Sequence, residues 1–288
     1  MKISVAKSAG FCFGVKRAID IALDTAKNAS SVLMLGDIVH NENVISEINK
    51  AGIKKIRTLS SGKGKTLLIR AHGTARSTIE KARNKGYTIV DATCPMVKEI
   101  QKKAVQMEKE GYTVIVIGEK KHDEVKGIIG QLSKRPVVID GPASPFFAKP
   151  RKLKKAAVVV QSTQNPETVR AIVKKLAPYA GELLFNDTIC NPTKIKQKEA
   201  RIIPLENDVV IVIGSKASAN TKRLYEISRA LNPRTHWINS DGELDREWFR
   251  GVSSVGITAG ASTPDPTIRK VIAAIKVIGG GNLNWSGS

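Results

Sequence analysis

At 288 residues, with 41% hydrophobic and 25% charged residues, the chain has the composition of one large or two to three smaller globular domains. No apolar run approaches the ~20 residues of a membrane helix, and an odd count of three cysteines excludes a paired disulfide framework. The formal net charge of +21 raises nucleic-acid binding. However, the Lys and Arg are spread along the chain, without a basic tail, zinc-finger spacing or an aromatic RNA-recognition signature. A solvated basic surface is the simpler reading, and it would also steer a diphosphate or an acidic protein partner.

Strand-like and helix-like segments alternate in chain order. An apolar run at 2–6 precedes a helical pattern from Phe13 to about Lys27. SVLMLG at 31–36 reads as a buried strand, and ENVISEINKAG as a helix stopped by Gly52. TLLIRAHG (66–73), YTIVDATC, YTVIVIG, AAVVVQSTQ (156–164), DVVIVIGSK (208–216) and SSVGITAGAS (253–262) are further strands running into polar turns. This grammar predicts parallel α/β architecture, with functional residues at the carboxyl ends of strands. The segment 141–155, with three prolines and a basic cluster, reads as a loop, and GGGNLNWSGS at the end as a disordered tail.

Cys12, Cys94 and Cys190 each end a strand-like run and open a helix-like one, and DATCP resembles DTICNP. The repetition predicts three similar α/β lobes at 13–95, 96–189 and 190–280, with the N-terminal strand 1–12 joining the last and 281–288 as a tail. A helix start favours anionic sulfur. Three such thiolates converging would make a soft metal site lacking a fourth protein ligand, and the open position is where a substrate would bind. The start MKISVAKSAGFC has no apolar signal core, which predicts a cytoplasmic protein.

Other chemistry gathers at the same turns. His40, His72 and His122 lie in DIVHNE, RAHGT and GEKKHDEVKG, where histidines and helix N-termini could hold an anion. His122 and Glu124 form an H-x-E pair. The pair is either an ordinary acidic helix start or a proton donor whose pKa rises in a desolvated pocket. Gln161, Ser162, Thr163, Ser218, Asn220 and Ser262 also follow strands, either capping the next helix or bringing N–H groups close to phosphate oxygens.

In this order AGFCFGVKRAI, GDIVHN, RAHG, DATCP, H-x-E-V-x-G, GSKASANT and TAGASTPD resemble the 4-hydroxy-3-methylbut-2-enyl diphosphate reductase family, from about residue 9 to 266. The resemblance implies three α/β lobes in pseudo-threefold arrangement around a central four-iron four-sulfur cluster. It implies that Cys12, Cys94 and Cys190 hold three irons, leaving the fourth open to substrate. His40, His72, Ser218, Asn220 and Ser262 match diphosphate-binding positions, and Ser162 and Thr163 lie in a substrate-contacting turn. His122 matches a substrate-binding histidine, and Glu124 the proton donor. Reductive dehydroxylation by two electrons and two protons would give isopentenyl and dimethylallyl diphosphate. The implied electron donor is ferredoxin or flavodoxin, and the expected state is a monomer binding neither membrane nor nucleic acid.

Three positions depart from the family pattern. Ser162 replaces a threonine, Ala219 a serine and Lys196 an arginine, the last two predicting one lost diphosphate hydrogen bond and a weakened bidentate contact. Two other readings compete: an iron-sensing or nucleic-acid module, and a zinc protein. Zinc supplies no electrons, and the cysteines lack the short spacing of structural zinc sites.

Overall fold

Strongly β-branched runs such as Thr113–Ile117 and Val209–Ile213 can only be satisfied by burial on both faces, the condition of a parallel sheet under helices. A computed structural model describes residues 1–279 and forms three four-stranded sheets, each entirely parallel. The expected C-terminal tail lies outside the described residues. Among the described residues no helix is long and apolar enough to cross a membrane.

The chain opens with β1 (Lys2–Val5) and α1 (Phe13–Asn28), then builds a first complete sheet. Its strands are β2 (Val32–Leu35), β3 (Lys54–Ile56), β4 (Thr66–Ile69) and β5 (Thr88–Asp91), with α2 (Glu42–Lys50) and α3 (Arg76–Asn84) between them. After α4 (Pro95–Lys109) come β6 (Thr113–Ile117), α5 (Asp123–Ile129), β7 (Val137–Ile139), β8 (Leu153–Val160), α6 (Pro166–Leu176) and β9 (Ala180–Phe185). The remainder is α7 (Asn191–Glu206), β10 (Val209–Ile213), α8 (Ala219–Leu231), β11 (Thr235–Ile238), β12 (Ser254–Ala259) and α9 (Asp265–Ile278).

The spatial orders are β5-β4-β2-β3, β9-β8-β6-β7 and β1-β12-β10-β11. Numbered within its own lobe, each sheet runs fourth-third-first-second, and in the last lobe β1 is the fourth strand. The N-terminal strand β1 pairs in parallel with β12, from Lys2 opposite Ser254 to Val5 opposite Ile257. Two compact units contain these sheets: Lys16–Val39 with Glu47–Cys190 holds the first two, and Met1–Val15, His40–Ser46 and the chain from Asn191 hold the third.

The period-2 alternation divides each long strand between two cores. Ile115, Ile117, Val158 and Val160 face one cluster, while Val114, Val116, Ala157 and Val159 face the other. In the third sheet Val209, Ile211, Ile213, Val255 and Ile257 line one side, and Val210 and Val212 the other. Each such Val or Ile contributes about 1.5–3 kcal/mol by burial. The interior of these sheets is therefore the rigid base on which the strand-end turns stand.

Segment 141–155 departs from the expected loop. It contains a 3-10 turn at Pro145–Phe147, and Leu153–Lys155 already belong to β8. Lys154 and Lys155 are exposed on a strand that extends at its N-terminal end, and pairing with β9 covers its backbone there.

Close packing of α7 on the third sheet depends on Gly256 in mid-β12. A Cβ there would stand 2.3 Å from Ile203 Cγ2 and 3.0 Å from Asn207 Nδ2. Ile203 is β-branched and buried, so the helix must shift. Gly256→Ala is expected to destabilise the protein by about 1–3 kcal/mol in chemical denaturation, the cost of overpacking. An unchanged midpoint would show that α7 is free to move.

Candidate functional site

The strand order places a topological switch between the first and third strands of every sheet, because the second strand lies beyond the first on one side and the fourth beyond the third on the other. Ligands collect at the carboxyl ends of strands at such a point. Six of the predicted residues sit on those two turns, at matching positions beside all three sheets. His40, His122 and Ser218 are each the fourth residue after the glycine that ends the first strand (Gly36, Gly118 and Gly214). His72, Thr163 and Ser262 are each the third residue after the third strand.

The turn after the third strand is the same turn in each lobe. The N–H groups of Gly73, Gln164 and Thr263 donate to the carbonyls of Arg70, Gln161 and Gly260 at 3.0, 3.1 and 3.0 Å. The cysteines obey an equivalent rule. Cys12, Cys94 and Cys190 each stand immediately before the first residue of a helix, namely α1, α4 and α7. Each cysteine N–H donates to the carbonyl two residues past the neighbouring third strand: Ala261 at 3.2 Å, Ala71 at 2.9 Å and Ser162 at 3.1 Å. All three lie outside disulfides and are partly exposed.

In the unit that holds the first two sheets, Glu124 is the most deeply buried carboxylate, 2% exposed. Its Oε1 accepts from the Ser162 N–H at 2.6 Å and its Oε2 from the Ser162 hydroxyl at 2.8 Å. Burial pushes the Glu124 carboxyl above its ordinary value, and the two Ser162 bonds pull against it without cancelling it. Ser162 thus links Glu124 to the Cys190 turn through its own carbonyl. The Glu124 N–H donates to His122 Nδ1 at 3.2 Å, which makes His122 the N-cap of α5. His122 and His72 meet edge to face, with ring centroids 5.3 Å apart. Arg70 pairs with Asp123, the residue after His122, at 2.5 Å.

Gln161 ties this region together and was singled out in sequence only as a strand-end amide. Its Oε1 accepts from the Glu119 N–H at 2.9 Å, and its Nε2 donates to Thr163 Oγ1 at 3.1 Å. Gly118 permits this, since a Cβ there would lie 2.8 Å from Gln161 Cβ.

In the other unit, Ser218 caps α8 by accepting from the Thr221 N–H at 3.3 Å, and Ser262 Oγ donates to the His40 carbonyl at 3.2 Å. Asn220 is buried, yet neither its Oδ1 nor its Nδ2 has a hydrogen-bond partner among the described residues. A buried amide left so costs free energy unless a ligand satisfies it. Ala219, where the family pattern has serine, is the first residue of α8.

Lys196 differs from expectation. It is a buried residue of α7, 2% exposed, whose ammonium donates to the carbonyls of Ser8, Gly10 at 2.9 Å and Ala259 at 3.3 Å. Two aspartates were also missed, although both are visible in DATCP and DTICNP. Asp91 accepts from the Thr93 N–H at 2.9 Å, and Asp187 from the Ile189 N–H at 3.3 Å.

Fold and turn geometry together define a protein of three parallel-sheet α/β lobes with one helix-start cysteine bonded to the third-strand turn of each sheet. A family model described as LytB protein matches residues 3–276, and the chain belongs to that family. A Geobacter sulfurreducens protein named 4-hydroxy-3-methylbut-2-enyl diphosphate reductase is 41% identical over 276 residues, 96% of this chain and 97% of that protein. An Aquifex aeolicus protein of the same name is 40% identical over 285 residues, covering 98% of each. A solved structure of (E)-4-hydroxy-3-methyl-but-2-enyl diphosphate reductase, described as the terminal enzyme of the non-mevalonate pathway, is similar with a TM-score of 0.70. It is 39% identical, covering 96% of this chain and all of that one. The Plasmodium falciparum reductase structure superposes with a TM-score of 0.88 at 28% identity, covering 96% and 88% of the two chains.

Proposed function

We propose that this chain is an iron–sulfur reductase that converts (E)-4-hydroxy-3-methylbut-2-enyl diphosphate to isopentenyl and dimethylallyl diphosphate. The substrate's hydroxyl leaves as water at the expense of two electrons and two protons. The observation that carries this reading is the threefold equivalence of Cys12, Cys94 and Cys190, each before a helix and each N–H-bonded to the turn after the third strand of a different sheet. We read the chain as lobes at 13–95, 96–189 and 190–280 with strand 1–12 added to the last, Cys190 standing at the seam and bonding back to Ser162 of the second.

The donor set fits a four-iron four-sulfur cluster: three partly exposed thiols outside disulfides, and no fourth cysteine in the chain. Cys12, Cys94 and Cys190 would hold it. When bound, it supplies one-electron transfer and a Lewis-acidic iron for the departing oxygen.

The chain's own residues would do the rest. Glu124 keeps a proton on a buried carboxyl, oriented by the Ser162 N–H and hydroxyl, and delivers it to the substrate. His40, His72, Ser218, Asn220 and Ser262 bind the diphosphate, and the orphaned Asn220 amide supports that assignment. His122 and Thr163 orient the rest of the substrate. The +21 charge suits the trianionic substrate and an acidic electron donor such as ferredoxin or flavodoxin. We read the protein as a cytoplasmic monomer.

The test is purification without oxygen, followed by absorption and Mössbauer spectra with and without substrate. A four-iron cluster with one distinct iron that responds to the diphosphate, and turnover with a strong one-electron donor, are expected. A protein that stays colourless after anaerobic reconstitution sinks the reading.

A further inference from the structure

The three cysteine turns are equivalent in backbone but are not held alike. In two lobes an aspartate three residues before the cysteine accepts the N–H of the residue just before it: Asp91 for Cys94 and Asp187 for Cys190. These Asx turns fix the approach to the helix start. The third lobe has Ala9 at that position and cannot make the turn.

Helix α7 supplies a replacement from outside the loop. Lys196 reaches the Ser8 and Gly10 carbonyls and ties them to Ala259 at the end of β12. One turn along, Glu199 accepts the Ser8 N–H at 3.1 Å and the Ser8 hydroxyl. The loop itself has no slack. Gly10 has φ +98°, and a Cβ there would meet Asp265 Oδ1 at 2.9 Å. Burying an ammonium is costly, and here three carbonyls compensate it.

We propose that Lys196 is the positioning residue of Cys12, doing from α7 what Asp91 and Asp187 do within their own loops, and that it places a buried cation beside Cys12. The cation part rests on the reading of Cys12 as a cluster ligand. Burial lowers the Lys196 pKa to about 8, while the charges of Cys12 and Glu199 act to raise it, so the ammonium is mostly protonated at neutral pH. A buried positive charge beside one ligand favours the electron-rich state of whatever the three sulfurs hold. The Asp91 turn has cations of its own, Lys98 on the Asp91 carboxylate at 2.6 Å and the Arg17 guanidinium on the Thr93 carbonyl at 3.3 Å, but both are partly exposed, whereas Lys196 is buried.

Two variants and two measurements test this. Lys196→Gln keeps a donor but removes the charge and most of the reach, whereas Lys196→Arg keeps charge and donors. In cluster-free protein, hydrogen–deuterium exchange of residues 8–12 is expected to be about tenfold faster in K196Q and near wild type in K196R. Exchange in the β10 and β12 interiors should stay unchanged. In reconstituted protein, K196Q is expected to have a lower midpoint potential, with a roughly tenfold smaller reduced fraction, about 59 mV for one electron, and K196R should restore it. Wild-type exchange at residues 8–12 in K196Q, or exchange rising evenly through the sheet, overturns the positioning role. Equal potentials in K196Q and K196R overturn the cation. If the wild-type protein takes up no cluster, the functional reading fails instead, and the exchange measurement still decides the clamp.

Discussion

Glu124→Gln is expected to retain the cluster and to lower turnover by about 10²- to 10⁴-fold, the range supplied by a positioned general acid. The variant is isosteric, and its amide oxygen can still accept one of the two Ser162 bonds, so the turn that ends at Cys190 should survive. What it loses is the proton. The sign of the pH dependence follows from the cause of the shift. Burial raises the Glu124 value, so the acid form persists above the ordinary carboxyl range, and the rate falls as pH climbs through the raised value. Ser162→Ala removes a hydroxyl that stabilises the carboxylate, so the falling limb should move to higher pH in that variant. Folding stability carries the same sign. A raised folded-state value contributes most at low pH and is lost as pH rises through it, so cluster-free E124Q should show a flatter stability–pH curve. Rate–pH profiles of the three proteins check this; near-normal turnover in E124Q would remove Glu124 from the proton path.

The long buried strands were legible because burial on both faces leaves an unbroken β-branched run, as in Val209–Ile213. Edge strands β3 and β9 were not. Lys54–Ile56 has three residues, two of them exposed lysines, and Ala180–Phe185 is mostly exposed, so neither carries a periodic signal. In the site, cysteines, histidines and hydroxyls could be read from their repeated position after strands. The switch-point logic of the sheet order then explains why those turns recur. Lys196 was misread as a weakened contact because α7 buries a polar face. Thr193, Lys196 and Gln197 are inside while Ile195, Ile202 and Leu205 are exposed, the inverse of an amphipathic pattern. Its partners, three backbone carbonyls about 190 and 60 residues away in sequence, leave no trace in local composition. The Asp91 and Asp187 turns, by contrast, were available in the sequence, because an acidic residue three places before two of three cysteines is itself the Asx signal.

Serine at any one of Cys12, Cys94 or Cys190 is expected to abolish the brown colour and reduce turnover by more than about 10²-fold, beyond what losing an outer-shell partner costs at a metal site. The exchange of a soft thiolate for a hard hydroxyl is nearly isosteric, so the effect isolates ligand chemistry from packing. The partly exposed position of each thiol makes the same point thermodynamically. Without the cluster, each variant should unfold within about 0.5 kcal/mol of cluster-free wild type, as expected for substitutions away from the core. The comparison among the three variants carries further information. If the lobes contribute equivalent ligands, C12S, C94S and C190S should lose iron alike, although their turns are held by different side chains. Iron quantitation after anaerobic reconstitution, read beside the denaturation midpoints, gives the result. A variant that keeps full iron and wild-type turnover would mean that its cysteine is not a ligand, and the threefold equivalence of the turns would then describe the fold and not the cluster.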